Sequence, residues 1–168
     1  MSKVLIVGLG FVGSPLAQAL HAKGHSVIGL THSVGSTELL KQTSSAEVRQ
    51  ADVAELGSLK QAVREPVDWI VHCASSGRGG PDKYRRVYRD GLANLRELCP
   101  QARVLYTSST SVYAQLAGEL VDEEAPAKPD RETGQILRET EELALASGGL
   151  VTRLAGIYGP GRSFILLK

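Results

Sequence analysis

Short apolar runs alternate along the chain with longer segments in which apolar residues recur every three to four positions. Lys3–Val7, Ser26–Thr31, Glu47–Gln50, Val67–Cys73, Arg103–Thr107 and Leu150–Ala155 have the length and content of strands. Helical spacing predicts a first helix with Phe11, Val12, Leu16, Ala19 and Leu20, carrying Pro15 in its first turn, where a missing N–H is harmless. A second helix carries Leu56, Leu59 and Val63. The strongest stripe lies in Asp82–Cys99, where Tyr84, Val87, Tyr88, Gly91, Leu92, Leu95 and Leu98 read as core packing or a partner-helix face. A last helix runs from an N-cap at Asp130 to Ala146, where Gly148-Gly149 ends it. Residues 34–45 read as polar loop with one helical turn at Thr37–Lys41, and Leu116–Pro129 as a loop with an acidic cluster. Phe164–Leu167 opens another apolar element.

Six strands alternating with helices predict an α/β fold. Its sheet is doubly wound and parallel, in the order 3-2-1-4-5-6, with helices on both faces. The first strand breaks directly into Gly8-Leu9-Gly10-Phe11-Val12-Gly13, a G-x-G-x-x-G that opens a helix. In that context the first glycine makes the turn, the second lets backbone approach a pyrophosphate, and the third packs helix on strand. The helix N-terminus offers free N–H groups to phosphate. The reading is a Rossmann-type dinucleotide site on a single domain, residues 1–168. A secretory leader is the poorer account, since three glycines at this spacing weaken a helix by roughly 1 kcal/mol each.

Strand ends supply the other candidates. After the second strand, Thr31-His32-Ser33 stands where NAD-binding domains commonly place a carboxylate for the ribose hydroxyls. With no acid to repel a 2′-phosphate, the reading leans to NADP over NAD, although no Arg stands there to pair with it. Asp52, before Val53, either accepts from an adenine amino group or N-caps the next helix. Cys73, Ala74 and Ser75 are small enough for a flat cofactor to lie close. Cys73 itself reads as a buried filler, and Arg78 as a solvated or phosphate-facing loop residue. Thr107, Ser108, Ser109, Thr110 and Ser111 crowd hydroxyls at the end of the fifth strand, with Ser109 the catalytic candidate.

Composition narrows the class. A net charge of +1 gives no footprint for nucleic acid or a membrane surface. Two cysteines exclude a disulfide scaffold and four scattered histidines suggest no metal site, so a soluble cytoplasmic protein is expected.

The collected residues resemble the extended short-chain dehydrogenase/reductases, the NAD-dependent epimerase/dehydratase family, in an atypical branch. The resemblance runs through Gly8–Gly13, Asp52-Val53, Val71–Ala74, Gly91 and Asn94, Ser108–Tyr113, Asp122-Glu123 and Arg153–Gly161. It implies NAD(P) held by Gly8, Gly10, Phe11, Val12, Gly13, Thr31, His32, Asp52, Val53 and Ala74. It also implies a catalytic Ser109, and Leu154, Gly156 and Ile157 along the nicotinamide end. Two departures follow. The family's Tyr-x-x-x-Lys matches Gly134 and Arg138, so the phenol is missing and only a cation remains to hold ribose. Tyr113 is a poor substitute, being explained by packing. The family's smaller C-terminal substrate domain is expected to lie outside these 168 residues. The expected function is the cofactor domain of an oxidoreductase acting on a sugar nucleotide or similar hydroxyl or carbonyl compound. The alternative is a non-catalytic sensor or scaffold reading NADP(H). A homo-oligomer is expected from the Asp82–Cys99 stripe and from Phe164–Leu167.

Overall fold

The computed structural model describes residues 1–77, 79–115 and 117–162, so the readings made for Arg78 and Phe164–Leu167 lie outside the described residues. The elements are β1 (Lys3–Val7), α1 (Gly13–Ala22), β2 (Ser26–Thr31), α2 (Val34–Thr43), β3 (Glu47–Gln50), α3 (Leu56–Ala62) and β4 (Trp69–His72). There follow α4 (Pro81–Tyr84), a π-helical stretch (Arg85–Asp90), α5 (Gly91–Leu98), β5 (Arg103–Ser109), a 3-10 turn (Thr110–Val112), α6 (Glu132–Ala146) and β6 (Leu150–Leu154). The sheet has the order β3-β2-β1-β4-β5-β6 and every pairing is parallel.

Alternation along β1 builds the two layers. Val4 and Ile6 pack with Leu16, Ala17 and Leu20 of α1 and Leu40 of α2. Leu5 and Val7 face the other way, onto Leu59 of α3, Leu92 and Leu95 of α5, and Leu137 and Ala144 of α6. Each of these fully buried leucines is worth about 2 kcal/mol of transfer free energy. Central strands buried on both sides leave the carboxyl ends of β1, β4 and β5 as the place where backbone and side chains meet solvent.

Four expectations are corrected. Residues 34–43 form a ten-residue helix rather than a single turn, because Ser33 caps it by accepting from the Ser36 N–H while Thr37 is buried beneath. Asp52 does not cap α3: Glu55 holds that position, and Asp52 accepts from the Ala54 N–H at 2.9 Å. Asp130 does not cap α6, where Arg131 takes the position without a side-chain bond. The Asp82–Cys99 helix is continuous, but its middle is π-helical. Of its stripe, Leu92 and Leu95 are wholly buried in this chain's own core, while Tyr84, Val87, Tyr88 and Leu98 are half-buried.

Candidate functional site

The turn after β1 is fixed by close approach. Gly8 has φ of +98°, a conformation open to glycine, and a Cβ there would lie 2.5 Å from Ala74 Cα. A Cβ on Gly13 would sit 2.0 Å from the Gly8 carbonyl oxygen, so α1 can only start against the turn without a side chain. Gly10 is the opposite case: a Cβ there would meet nothing within 4 Å. The space in front of Gly10 is the mouth of a groove of about 940 Å³. Cys73 Sγ donates to the Gly8 carbonyl at 3.3 Å, and burial pushes its thiol up to about 12. It ties the turn from beneath while also lining the groove, half-buried rather than wholly so.

Gly8, Gly10, Phe11 and Val12 line the end of this groove beside the glycine turn, whereas Gly13 lies behind it as packing. Thr31, His32, Ser33, Asp52 and Val53 line the end where β2 and β3 stop. The Thr31 hydroxyl is committed to Thr37 at 2.5 Å, so it is His32, Ser33 and Ser36 that offer polar groups to a ligand. Val53 is clamped from behind, with its carbonyl accepting from Asn94 Nδ2 at 3.1 Å. Asp52 receives Arg86 Nη2 at 2.5 Å and lies 3.5 Å from His32 Nε2. Burial pushes its carboxyl up, but the Ala54 N–H and the Arg86 guanidinium outweigh that and hold it below the usual carboxylate range.

The inner end is made by Ala74 and Ser75 after β4, Thr107 and Ser109 on β5, and Leu154, Gly156 and Ile157 at and beyond β6. Thr107 Oγ1 donates to the His72 carbonyl at 3.2 Å, joining two strand ends. Ser109 accepts from the Ser111 N–H at 3.2 Å and stands between the groove and a second cavity of about 1230 Å³, which it shares with Ala155 and Gly156.

The helix facing this end departs from the sequence expectation. Leu137, not Arg138, borders the groove. Arg138 is turned to Glu141 and, at 3.3 Å, to Glu142, so a role for Arg138 in holding ribose is not supported by its position. Gly134 is buried, and a Cβ on it would come 2.6 Å from Pro129 Cβ and 3.1 Å from the Ser111 carbonyl. The position matched to the phenol therefore has no room for one. Tyr113 is occupied: its hydroxyl donates to the Asp122 carbonyl at 3.0 Å and accepts from Arg153 Nη1 at 2.7 Å. Arg153 in turn donates to the fully buried Glu141 at 2.8 and 3.0 Å.

Several groove residues escaped the sequence reading. Tyr84, Val87 and Tyr88 of the stripe pack against the core and also border the groove, Tyr88 accepting from the Ser76 N–H at 3.1 Å. Lys83 and Arg86 join them from the same helix. The π-helical stretch carried no signal in the apolar spacing. Behind Tyr88, His72 is fully buried, its Nε2 3.1 Å from the Val87 carbonyl, and burial pushes its imidazole down to about 4. Among the described residues no group of three or more His, Cys, Asp or Glu could hold a metal, and no helix is long and apolar enough to cross a membrane.

A parallel 3-2-1-4-5-6 sheet with a glycine turn opening a groove at its switch point defines a nucleotide-binding α/β domain of the doubly wound class. The chain belongs to the NAD dependent epimerase/dehydratase family, whose profile matches residues 4–163. It is 34% identical over 179 residues to Protein YeeZ of Escherichia coli, covering 96% of this chain and 61% of that protein. It is 26% identical to a dTDP-4-dehydrorhamnose reductase of Mycolicibacterium smegmatis, covering 97% of this chain and 49% of that one. Among solved structures, one described as an NAD-dependent epimerase/dehydratase from Methylobacillus flagellatus superposes with a TM-score of 0.79. It shares 34% identity over 96% of this chain and 56% of that one. The Bordetella bronchiseptica enzyme WbmH, solved with NAD+, shares the fold at a TM-score of 0.78 and 24% identity, over 98% of this chain and 58% of that one. The chain thus spans about half to three fifths of the relatives it matches.

Proposed function

We propose that this chain is the cofactor domain of an atypical epimerase/dehydratase-like oxidoreductase. It prefers NADP(H), and the whole protein acts on a sugar nucleotide or similar hydroxyl or carbonyl substrate. The observation that carries the reading is the open space before Gly10 between two glycines that tolerate no side chain, since that is the shape a pyrophosphate needs. The bound nicotinamide would supply hydride chemistry. The chain's own residues bind the cofactor, and Ser109 orients a substrate oxygen where groove and second cavity meet. The preference for NADP(H) rests on the polar but acid-free end of β2, where His32, Ser33 and Ser36 border the groove. A second reading, a non-catalytic NADP(H)-responsive module, is favoured by Gly134, which leaves no room for a phenol, and by Arg138, which is turned to Glu141 and Glu142 rather than into the groove.

Fluorescence titration with NADPH and NADH tests the binding reading, with Gly10→Val as the control. The branched side chain would meet no protein atom but would fill the pyrophosphate's place, so binding should vanish while melting is unchanged. Unaltered affinity in that variant would refute the site. Assayed with nucleotide sugars, this chain alone should bind cofactor without turnover; robust turnover would reject the non-catalytic reading.

A further inference from the structure

Asp52 is the carboxylate nearest the outer end of the groove, and its acceptor sites are heavily used. One oxygen takes the Ala54 N–H at 2.9 Å. The other takes Arg86 Nη2 at 2.5 Å and lies 3.5 Å from His32 Nε2. Arg86 Nη1 also donates to Glu55 at 3.0 Å, so the guanidinium bridges two acids at the groove's rim. Arg86 reaches this point from the π-helical stretch, 34 residues away in sequence. Its side chain is half exposed and so free to move, whereas that of Asp52 is three-quarters covered and fixed by the turn.

We infer that Arg86 is the residue that selects between the two dinucleotides, by exchanging the Asp52 carboxylate for the ligand's 2′-phosphate. The inference rests on the dinucleotide reading of the groove. An adenine amino group seeking Asp52 must compete with a charge-assisted bond from Arg86. When the ligand carries a 2′-phosphate, the displaced guanidinium finds a dianionic partner of matching fork geometry, and the exchange is close to even. When the ligand carries a 2′-hydroxyl, the same bond is broken and only a neutral acceptor replaces it. Glu55 keeps a hold on Nη1, so the arm pivots at the rim. His32, Ser33 and Ser36, which border the same end, add hydrogen-bonding groups without adding negative charge.

The test is Arg86→Gln, titrated with NADPH, NADH, 2′,5′-ADP and 5′-AMP. NADPH and 2′,5′-ADP should weaken tenfold or more, while NADH and 5′-AMP should hold steady or tighten severalfold, because their competitor for Asp52 is gone. Arg86→Lys should keep part of the preference. A parallel loss of all four ligands, or unchanged NADPH affinity, would overturn the exchange while leaving the dinucleotide site standing. Tighter NADH than NADPH binding by the unmutated chain would also overturn it. Failure of that chain to bind either dinucleotide would overturn the proposed function and the inference together. Circular dichroism of the variant guards against misfolding, which would weaken all four ligands and not the 2′-phosphorylated pair alone.

Discussion

Replacing Glu141 by Gln tests how the inner end of the groove is braced. The side chain is wholly buried and accepts from Arg153 at 2.8 and 3.0 Å and from Arg138. Arg153 continues to Tyr113, and its neighbour Leu154 borders the groove. An amide keeps the shape but leaves Arg153 without its carboxylate and Arg138 with Glu142 alone. Breaking a buried pair from one side costs about 3–5 kcal/mol. Both arginines keep a fifth to a quarter of their side chains in water, which places the expectation near the low end, about 3 kcal/mol. For a domain of this size that lowers Tm by about 6–12 °C. The effect should shrink in acid. Burial pushes the Glu141 carboxyl up, but the Arg153 hydrogen bonds outweigh it and hold the group below the usual range. Its contribution is therefore complete above the unfolded carboxylate value and is lost as pH falls through the lower folded value. Thermal and urea unfolding, followed by circular dichroism at neutral pH and again in acid, measure both parts. A Tm change under about 2 °C at neutral pH would refute the argument. So would a deficit that persists undiminished in acid.

Two further outcomes follow from single side chains. His72 is held down to about 4 by burial, so the unfolded chain binds its proton first as pH falls. Stability should drop by about 3 kcal/mol between pH about 6.5 and about 4, a slope that His72→Gln should flatten if the imidazole is its source. Ser33→Asp keeps an effective cap on α2 while placing a carboxylate at the end of β2. It should swing cofactor preference toward NADH by roughly 1–3 kcal/mol, and titration showing no change would mean that Ser33 does not face the ribose.

Legibility in the sequence followed the range of the interactions. The turn Gly8–Gly13 was readable because strand, glycines and helix sit within a few residues of one another. The groove lining at Thr107, Ser109 and Leu154–Ile157 was readable because strands end where apolar runs end. Arg86 was invisible as a partner of Asp52, since only packing of the long helix beside the β3–α3 loop brings them together. Leu137 and Arg138 show the limit at one-residue resolution. Successive helical positions point about 100° apart, so Leu137 borders the groove while Arg138, the next residue, is turned to its own helix. Helix α2 is poorly legible because, besides the single apolar contact of Leu40, it is held by its Ser33 cap and by buried Thr37, which together make no apolar stripe.

The π-helical stretch gives the long helix two angular phases. Ahead of it, Lys83 and Tyr84 look into the groove, and beyond it, Leu92 and Leu95 look into the core. A single surplus residue wound into the rod is enough to offset one half against the other. The two halves can therefore drift apart in sequence over evolutionary time. The outer half is free to retune what the groove accepts, and the inner half is held by the volume it must fill. A lineage that shed the surplus residue would bring the halves back into step, coupling ligand choice to core packing in a single rigid surface.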